Sequence, residues 1–302
     1  MASERVLIIG ASGLLGNWLL SQYARADILA TGFSRAGSGF YRLDLTDLHA
    51  LERLVRDFKP HLVHLVAAMS RPAACEVQPE QAWAVNTAPA GLLARLTSEL
   101  GFRLVFVSSD LVFDGVEGLY TEEAPVRPLS VYGRTKAAAE KAILACGGDG
   151  VVARTSLIIG RSAFGPADGM AWIEELITSG RRASLFVDEF RSPVAAPELA
   201  RGLRLLAERA EPGIWHLAGP ERMSRFELGR LICRAAGWPE ESLEPCRQAD
   251  LAADPPRPRD VSLDVSRVQT LLGAERIKLL EEVLPSSLAG PTLPLICVSP
   301  AD

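Results

Sequence analysis

The sequence predicts an α/β protein with a doubly wound parallel sheet and a smaller, interleaved C-terminal lobe. In the first half, short apolar runs alternate with amphipathic segments of helical length, which is the pattern of strand–helix–strand units. The apolar runs, such as VLII and RLVFV, are continuous, as expected for parallel strands that are buried on both faces. This alternation of strands and helices becomes less regular beyond Ser156, so a second, less regular lobe is expected there.

The predicted elements follow that alternation through the first half and resume in part of the second. Strands are predicted at residues 5–9, 28–33, 62–66, 104–108, 150–154 and 213–217. Helices are predicted at residues 14–24, 48–58, 80–100, 131–145, 198–208 and 226–236. The tail from Leu284 is rich in Pro and Ser and is expected to be irregular. The sheet domain is predicted at 1–160 together with about 195–218, and the smaller lobe at about 161–194 and 219–302.

Bulk composition indicates a folded, reduced, cytoplasmic protein and argues against several function classes. Of the 302 residues, 48% are hydrophobic and 23% are charged, an ordinary globular balance. The net charge of −5 leaves no basic face for nucleic acid. No apolar run approaches the ~18 residues of a membrane helix, and the five scattered cysteines form no zinc motif. His61 and His64 fall on opposite faces of a predicted strand, so no metal site is expected.

A glycine-rich turn directly follows the first predicted strand and opens the first predicted helix. Gly10 permits the tight turn, Gly13 lets backbone approach a pyrophosphate, and Gly16 lets the helix pack closely against the strand. The helix N-terminus also presents free N–H groups to phosphate. A glycine turn can exist without a ligand, but this one stands at the first strand–helix junction and predicts a dinucleotide-binding, Rossmann-type domain. The whole turn reads Gly10-Ala-Ser12-Gly13-Leu14-Leu15-Gly16.

The end of the second predicted strand distinguishes between the two nicotinamide cofactors. An NAD enzyme usually carries an acidic residue there that binds the ribose 2′-hydroxyl, whereas this chain reads Ser34-Arg35. Arg35 can pair with a 2′-phosphate, assisted by the Ser34 hydroxyl, so NADP(H) is the predicted cofactor. The alternative is that Arg35 is a solvated loop residue that does not contact the cofactor.

A second cofactor contact is expected in the run RLDLTD, where Asp44 and Leu45 are predicted to lie near the adenine. The same run also contains a helix start. An N-cap at Thr46 or Asp47 is the other reading of these residues, and it is compatible with the first.

Tyr132 and Lys136 are four residues apart, so a helix places the phenol and the ammonium on one face. A free tyrosine ionises near pH ~10, and the lysine charge is expected to lower that pKa towards neutrality. Ser109 follows a predicted strand, with its hydroxyl directed into the cleft at the carboxyl edge of the sheet. It can hydrogen-bond a substrate carbonyl oxygen while Tyr132 protonates that oxygen. The alternative is that Tyr132 and Lys136 are an exposed pair of side chains on a helix without a catalytic role. The glycine turn together with the Ser108-Ser109-Asp110 run argues against it.

With these motifs in place, the sequence resembles the extended short-chain dehydrogenase/reductase superfamily and, within it, the dTDP-4-dehydrorhamnose reductase family. The resemblance covers nearly the whole chain, and its most specific piece is the run S-S-D-L-V-F-D-G at residues 108–115. The other matching motifs are Gly10-x-x-Gly13-x-x-Gly16, Ala67-Ala68, Cys75-Glu76, Asn86, Tyr132-Gly-Arg-Thr-Lys136, Arg154-Thr-Ser156, residues 188–193, residues 213–219 and Arg257-Pro258.

The resemblance implies that NADPH reduces a keto group on a nucleotide-linked deoxysugar. By position, Ser109 would polarise the ketone, Tyr132 would be the acid and Lys136 would tune its pKa. The residues implied beside the cofactor are Ala67, Ala68 and Asn86, together with Tyr132 and Lys136. The residues implied for the substrate are Ser109, Asp110, Arg191, Ser192 and Arg257, with Asp110 as an acceptor for loop N–H groups as the alternative reading.

The chain departs from the family at two places that concern sugar recognition. Aromatic residues usually follow the R-T-S motif, where this chain has Leu157 and Ile159. The substrate-lobe loop of the family typically reads D-Q-x-G-x-P-T, whereas residues 188–194 read D-E-F-R-S-P-V. The sugar and the nucleotide are therefore left open. The oligomeric state is also open, with a homodimer as one expected assembly.

Two other functions are compatible with the same motifs. The β subunit of methionine adenosyltransferase is similar to this family and acts as a regulatory partner, so a non-catalytic NADP-binding subunit is the first alternative. A sugar-nucleotide epimerase or dehydratase, which recycles a tightly bound NAD, is the second. Dehydratases follow their hydroxyl residue with an Asp-Glu pair, whereas Ser109 precedes Asp110 and Leu111 here. Because leucine cannot transfer a proton, the sequence favours a reductase.

Overall fold

A computed structural model of the chain describes residues 4–23, 26–33, 39–163, 171–250 and 257–292. The strands of these described ranges are β1 (Arg5–Ile9), β2 (Asp27–Gly32), β3 (Tyr41–Arg42), β4 (Leu62–Leu65), β5 (Arg103–Ser109), β6 (Gly150–Thr155), β7 (Ile158–Ile159), β8 (Ala183–Phe186), β9 (Phe190–Arg191), β10 (Val194–Ala195), β11 (Gly213–His216), β12 (Met223–Ser224) and β13 (Leu243–Cys246). The helices are α1 (Leu14–Leu20), α2 (Leu48–Phe58), α3 (Pro72–Val77), α4 (Pro79–Asn86), α5 (Ala88–Leu100), α6 (Val131–Ala145), α7 (Ala171–Thr178), α8 (Ala196–Arg209), α9 (Arg225–Ala236), α10 (Ser266–Leu272) and α11 (Leu280–Ala289).

The centre of the fold is a seven-stranded sheet in the order β11-β6-β5-β4-β1-β2-β3, with every neighbouring pair parallel. The chain runs outward from β1 to β3, returns to β4 on the other side of β1, and then runs outward again. The strand order therefore reverses beside β1, and ligands of such sheets bind where the carboxyl ends of strands meet at this reversal. The predicted α/β, doubly wound fold class is confirmed.

Both faces of the sheet are apolar and covered by helices, as continuous apolar strands require. On one face, Ile8 and Val105 lie in a core with residues of α1 and α8, such as Leu203. On the other face, Leu7 and Phe106 lie in a second core that includes residues of α2, α5 and α6. Because successive strand residues point to opposite faces, one apolar run contributes to both cores.

Two predictions about helices are wrong, and tertiary context explains each. The helix predicted at 80–100 is divided into α4 and α5 at Thr87, because Pro89 has no N–H to donate and would clash with a preceding helical turn. The tail from Leu284 is not irregular as far as residue 289, because α11 occupies it. Leu280 and Leu284 of α11 are buried in a third core with residues of α9, which outweighs the cost of Pro285 within the helix.

The second half of the chain returns to the sheet once and otherwise forms small two-stranded pairs. Strand β11 lies beside β6, and α8 covers the sheet. Away from the sheet, β8 pairs with β13, and β9 pairs with β12 so that Phe190 lies opposite Ser224. The division of the chain into the two lobes predicted from the sequence stays a prediction. No helix within the described ranges is both long enough and apolar enough to span a membrane.

Candidate active site

Ser109 ends β5, at the carboxyl edge of the sheet, and caps the short 3-10 turn Asp110–Val112. Its hydroxyl oxygen accepts the Leu111 N–H at 3.1 Å, and the hydroxyl donates to Asp110 Oδ1 at 3.0 Å. Ser109 is thereby held in one orientation at the position where the sequence placed it.

Helix α6 brings Tyr132 against the Ser109 turn. The helix is capped by the Ser130 hydroxyl, which accepts the Gly133 N–H at 3.1 Å, and by Glu76, which accepts the Val131 N–H at 2.6 Å. A Cβ atom at Gly133 would collide with the carbonyl oxygen of Leu111, so glycine is what allows this close approach. The structure therefore brings the predicted phenol and hydroxyl together.

Lys136 lies one turn further along α6 and is almost completely buried. Its ammonium donates to the carbonyl oxygen of Val107 at 2.8 Å and lies 4.5 Å from the centre of the Phe106 ring. Burial lowers the pKa of Lys136 to about 8, against the opposing charges of Glu140 and Cys75. Lys136 thus ties α6 to β5 one helical turn from Tyr132.

The pKa of Tyr132 differs from the sequence expectation. Burial raises it well above the usual value, hydrogen bonding by Ser109 lowers it in part, and the charges of Asp110 and Cys75 raise it. The Lys136 ammonium is directed to the Val107 carbonyl, and desolvation of the phenol is the dominant effect. Tyr132 is therefore protonated at neutral pH, which is the form that a general acid needs.

The glycine turn after β1 has the close packing that its sequence predicts. Gly10 has a φ of +96°, and a Cβ atom there would lie 2.6 Å from the Ala67 nitrogen. A Cβ atom at Gly16 would collide with the Gly10 carbonyl. Gly13, by contrast, is exposed, and its Cβ atom would meet only the Gly10 oxygen, at 3.4 Å. The turn therefore has open space beside Gly13, where a pyrophosphate would fit.

Asn17 is a structural residue of this turn that sequence reasoning missed. Its side chain donates to the Ala11 carbonyl at 2.7 Å and accepts from the Ser162 hydroxyl at 2.7 Å and the Ala163 N–H at 3.0 Å. The buried amide thus connects the glycine turn with the segment that follows β7. Nothing in the local pattern around Asn17 indicates this, because Ser162, which donates to its amide oxygen, lies 145 residues away. Ser12 and Leu14 are half-buried on the turn and Leu15 is buried.

Of the cofactor residues predicted after β2 and β3, the structure describes only Asp44 and Leu45. Ser34 and Arg35 lie outside the described residues. Asp44 accepts from both the N–H and the hydroxyl of Thr46, at 2.9 and 2.7 Å, and these bonds lower its pKa. The N-cap of α2 is Asp47, one of the two positions predicted, and its carboxylate accepts the Ala50 N–H. Leu45 is buried.

Ala67 and Ala68 lie in the loop after β4, and Asn86, the last residue of α4, supports that loop. The Ala67 N–H donates to the Ile9 carbonyl at 2.9 Å, which holds the loop against the glycine turn. The buried Asn86 amide accepts the Met69 N–H at 2.8 Å and donates to Thr135 of α6 at 3.1 Å. Asn86 therefore connects the loop that is predicted to face the cofactor with the helix that carries Tyr132.

Asp110 and Ser192 make contacts that support structural roles. Asp110 accepts the Ser156 hydroxyl at 2.6 Å, and Arg191 lies 3.9 Å from it. Burial raises the pKa of Asp110, while Arg191 and the hydrogen bonds lower it. The Ser192 hydroxyl bonds the N–H and the carbonyl of Leu263 and is fully buried. The alternative reading of Asp110 expected loop N–H donors, whereas the hydrogen bonds that its carboxylate accepts come from the hydroxyls of Ser109 and Ser156. Its role in binding substrate stays a prediction.

Arg191 and Arg257, both predicted for the substrate, converge on the buried Glu189. Arg257 binds this carboxylate through Nε at 2.7 Å and through its Nη2 nitrogen at 3.1 Å, and Arg191 lies 3.1 Å from it. A third arginine, Arg225, lies 3.9 Å from the same carboxylate. Sequence reasoning missed Arg225. The only local signal was its place at the start of a helix, after Ser224.

A buried ion pair between α6 and β6 was also missed. Glu140 accepts two guanidinium hydrogen bonds from Arg154, at 3.0 and 2.8 Å, and a third bond from the Ser108 hydroxyl. The spacing of Tyr132, Lys136 and Glu140 along one helical face was the available signal. Among the described residues, no three His, Cys, Asp or Glu side chains are grouped as the ligands of a metal ion would be.

Comparison with known proteins places this geometry in a family. Residues 4–288 match the family described as RmlD substrate binding domain. Methionine adenosyltransferase 2 subunit beta of Rattus norvegicus is 32% identical over 277 residues, covering 89% of this chain and 83% of the relative. A probable low-salt glycan biosynthesis reductase of Haloferax volcanii is 28% identical over 286 residues, covering 91% of this chain and 95% of the relative.

Solved structures agree with that placement. The crystal structure of a hypothetical dTDP-4-dehydrorhamnose reductase from Sulfolobus tokodaii has a TM-score of 0.80 and 32% identity, covering 92% of this chain and 98% of the other. The dTDP-4-dehydrorhamnose reductase of Bacillus anthracis, solved in complex with NADP, has the same fold, with a TM-score of 0.84, 24% identity, and coverage of 95% and 99%. The resemblance drawn from the sequence is confirmed: the chain belongs to the RmlD substrate-binding-domain family of extended short-chain dehydrogenases/reductases.

Proposed function

We propose that the chain reduces a keto group on a nucleotide-activated sugar with NADPH. The observation that carries this proposal is the buried juxtaposition of Ser109, Tyr132 and Lys136 at the carboxyl edge of the sheet. The glycine turn, which has open space beside Gly13, follows β1 at the carboxyl edge of the same sheet. The probable low-salt glycan biosynthesis reductase of Haloferax volcanii and the hypothetical dTDP-4-dehydrorhamnose reductase from Sulfolobus tokodaii, both similar to this chain, support the assignment.

The residues of the chain supply the proton and the hydrogen bonds of the proposed reaction, and the cofactor supplies the hydride. NADPH, when bound, supplies a hydride to the carbonyl carbon. Tyr132 gives its proton to the carbonyl oxygen, so that the ketone becomes a secondary alcohol with no charge left on it. Ser109 donates a hydrogen bond to the same oxygen as negative charge develops there. Lys136 holds α6 at the Val107 carbonyl, one helical turn from Tyr132, and so positions the phenol.

The cofactor is assigned to NADP(H) on two grounds. The glycine turn leaves space for a pyrophosphate at Gly13, and the segment after β2 carries Ser34 and Arg35 with no acidic residue. In this proposal Arg35 pairs with the 2′-phosphate, and Ala67, Ala68 and Asn86 form the wall of the nicotinamide side. A cytoplasmic location and a homodimer stay predictions.

The similarity to methionine adenosyltransferase 2 subunit beta supports a second candidate, a non-catalytic regulatory subunit. The test is a spectrophotometric assay of the purified chain with NADPH and a panel of nucleotide-linked keto sugars, read at the NADPH absorbance. A reductase oxidises one NADPH for each ketone consumed, and Tyr132→Phe abolishes most of the rate. Binding of NADPH without turnover on any member of the panel would contradict the reductase and favour the regulatory subunit.

The same assay separates the reductase from an epimerase or dehydratase. Because Leu111 stands where a dehydratase needs an acid–base residue, an intact nucleotide hexose should remain unchanged. The purified chain should also carry no tightly held NAD. Formation of a 4-keto-6-deoxy product from a nucleotide hexose, without added cofactor, would contradict the proposed function.

A further inference from the structure

Two neighbouring side chains of α1 hold a connecting segment, residues 161–163, that follows β7. The Asn17 amide oxygen accepts the Ser162 hydroxyl at 2.7 Å and the Ala163 N–H at 3.0 Å. The Trp18 indole N–H donates to the first carbonyl of the segment at 3.0 Å. Since α1 begins at the end of the glycine turn, the connecting segment is attached to the helix that the cofactor-binding turn opens.

The orientation of the Asn17 amide is set by its two backbone partners. The Ala11 carbonyl can only accept, so Nδ2 faces it, at 2.7 Å, and the Ala163 N–H can only donate, so Oδ1 faces it. Asn17 is fully buried, and a buried polar group that loses its partner costs free energy. A shift of the glycine turn at Ala11 therefore either moves the connecting segment with it or breaks one of these hydrogen bonds.

The connecting segment also contacts two helices of the smaller lobe that the sequence predicts. The Arg161 guanidinium binds Glu174 of α7 at 2.6 Å, and the Arg161 N–H donates to the Ser287 carbonyl of α11 at 2.9 Å. Both helices contribute to the third core, through Ile173 and Leu284. Contacts thus run without a gap from the glycine turn through the buried amide and the connecting segment to α7 and α11.

We propose that Asn17 is a positioning residue that couples cofactor binding at the glycine turn to the position of α7 and α11. A pyrophosphate bound at the N–H groups of the turn holds the turn in one conformation. The Asn17 amide, with a partner on each side, passes that restraint to the connecting segment. Cofactor binding then favours the attached segment over its locally opened state, and by linkage the attached segment favours the cofactor.

The consequence for the reaction is that the hydride donor and the keto sugar are positioned relative to each other. The glycine turn sets the place of the cofactor, and the smaller lobe sets the place of the sugar. Asn17 joins the two supports by hydrogen bonds to both. The inference rests on the proposed function for the assignment of the sugar to the smaller lobe.

The experiment is amide hydrogen exchange of the full chain, read by mass spectrometry with and without saturating NADP⁺. In the wild-type chain NADP⁺ should slow exchange in the glycine turn, in the connecting segment and in α7. The slowing beyond the turn should be roughly 5–150-fold, the usual size of a coupling between two sites. Asn17→Ala should keep the slowing in the turn and abolish it in α7. Ser162→Ala should reduce it in α7, and Ser162→Thr, which retains the hydroxyl, should restore it.

The matched control is Ser21→Ala, because the Ser21 hydroxyl donates at 2.6 Å to the Trp18 carbonyl, within the same stretch of chain. This variant should match the wild-type chain. The Ser162 variants keep the test valid if Asn17→Ala does not fold. A merely structural role of Asn17 would raise exchange equally with and without NADP⁺, so an unchanged ratio in Asn17→Ala and Ser162→Ala would overturn the inference. Wild-type slowing confined to the glycine turn would overturn it as well.

Failure of the proposed function gives a different result. Slowing in α7 that is lost in Asn17→Ala, with no oxidation of NADPH on any keto sugar, would contradict the reductase and retain the coupling. Absence of slowing in the glycine turn itself would contradict both the cofactor assignment and the coupling.

Discussion

Glu140 accepts two hydrogen bonds from the guanidinium of Arg154, at 2.8 and 3.0 Å, two helical turns beyond Tyr132 on α6. Both side chains are almost completely buried. The same carboxylate accepts the hydroxyl of Ser108, the neighbour of Ser109 on β5. Together with the bond from Lys136 to Val107, this pair fixes α6 on β5 and so sets the position of the phenol relative to the serine hydroxyl.

Removal of one member of this pair should destabilise the protein strongly. Glu140→Gln leaves the Arg154 charge buried without a counter-charge, which costs about 3–5 kcal/mol in the free energy of unfolding measured in urea. A double Glu140→Met, Arg154→Met variant should recover part of that loss, because the Arg154 charge is removed together with its partner, while the buried Lys136 ammonium still loses the charge of Glu140. The exposed Arg230–Glu240 pair is the control, where Glu240→Gln should leave the free energy of unfolding almost unchanged because solvent screens the pair. A double variant that is less stable than Glu140→Gln would contradict this account.

Tyr132→Phe should remove the acid and retain the fold. The ring stays packed beside Cys75 and Leu111, so the melting temperature and the affinity for NADPH should hardly change. Steady-state assays with a keto-sugar substrate should show a fall in kcat of about 10²–10⁴-fold, the usual contribution of general acid catalysis. The control is Tyr41→Phe, which changes an exposed phenol on β3. Turnover by Tyr132→Phe near the wild-type rate would remove Tyr132 from the mechanism.

The rate should fall on the alkaline side because Lys136 loses its charge there. Its pKa is about 8, so the ammonium is present below that pH and is lost as the pH rises through it. The groups that face this ammonium are Glu140 and Cys75, while the raised pKa of Tyr132 keeps the phenol protonated over the same range. The kcat of reduction, measured from pH 6 to 10, should therefore decline above about pH 8.

The variants of Lys136 test the origin of that decline. Lys136→Arg should move the decline to higher pH at a reduced rate, since arginine keeps its charge over the whole range. Lys136→Met should show a low rate without the decline. An alkaline decline that stays near pH 8 in Lys136→Arg would assign it to another group.

Arg35→Ala should lower the affinity for NADPH and leave the affinity for NADH nearly unchanged. Loss of one charge-assisted contact with the 2′-phosphate should weaken NADPH binding by roughly 10–150-fold and leave NADH binding nearly unchanged. Fluorescence titration measures both affinities. Arg42→Ala, on the neighbouring strand β3, controls for a general loss of positive charge at this edge. Equal losses for NADPH and NADH would show that Arg35 does not contact the 2′-phosphate.

Features that depend on residues close in sequence could be predicted. Helices α2 and α6 have the predicted bounds, because apolar periodicity and caps such as Asp47 and Ser130 act within a few residues. The glycine turn was predictable for the same reason, since the positive φ of Gly10 and the contact of Gly16 with Gly10 and Ala11 are local, although the approach of Ala67 to Gly10 is not. Pro89 was a local signal as well, but its effect on the long predicted helix was underestimated.

The sequence by itself determined the parallel α/β fold, the glycine turn and the placing of Tyr132 and Lys136 on one helical face, because periodicity and spacing within one element decide these. Only the tertiary structure decided which distant side chains meet. Glu189 and Arg257 are 68 residues apart, and strand pairing of β9 with β12 brings Arg225 to the same carboxylate. The raised pKa of Tyr132 was likewise decided by burial. Desolvation depends on every element packed around a group, and no local pattern records that.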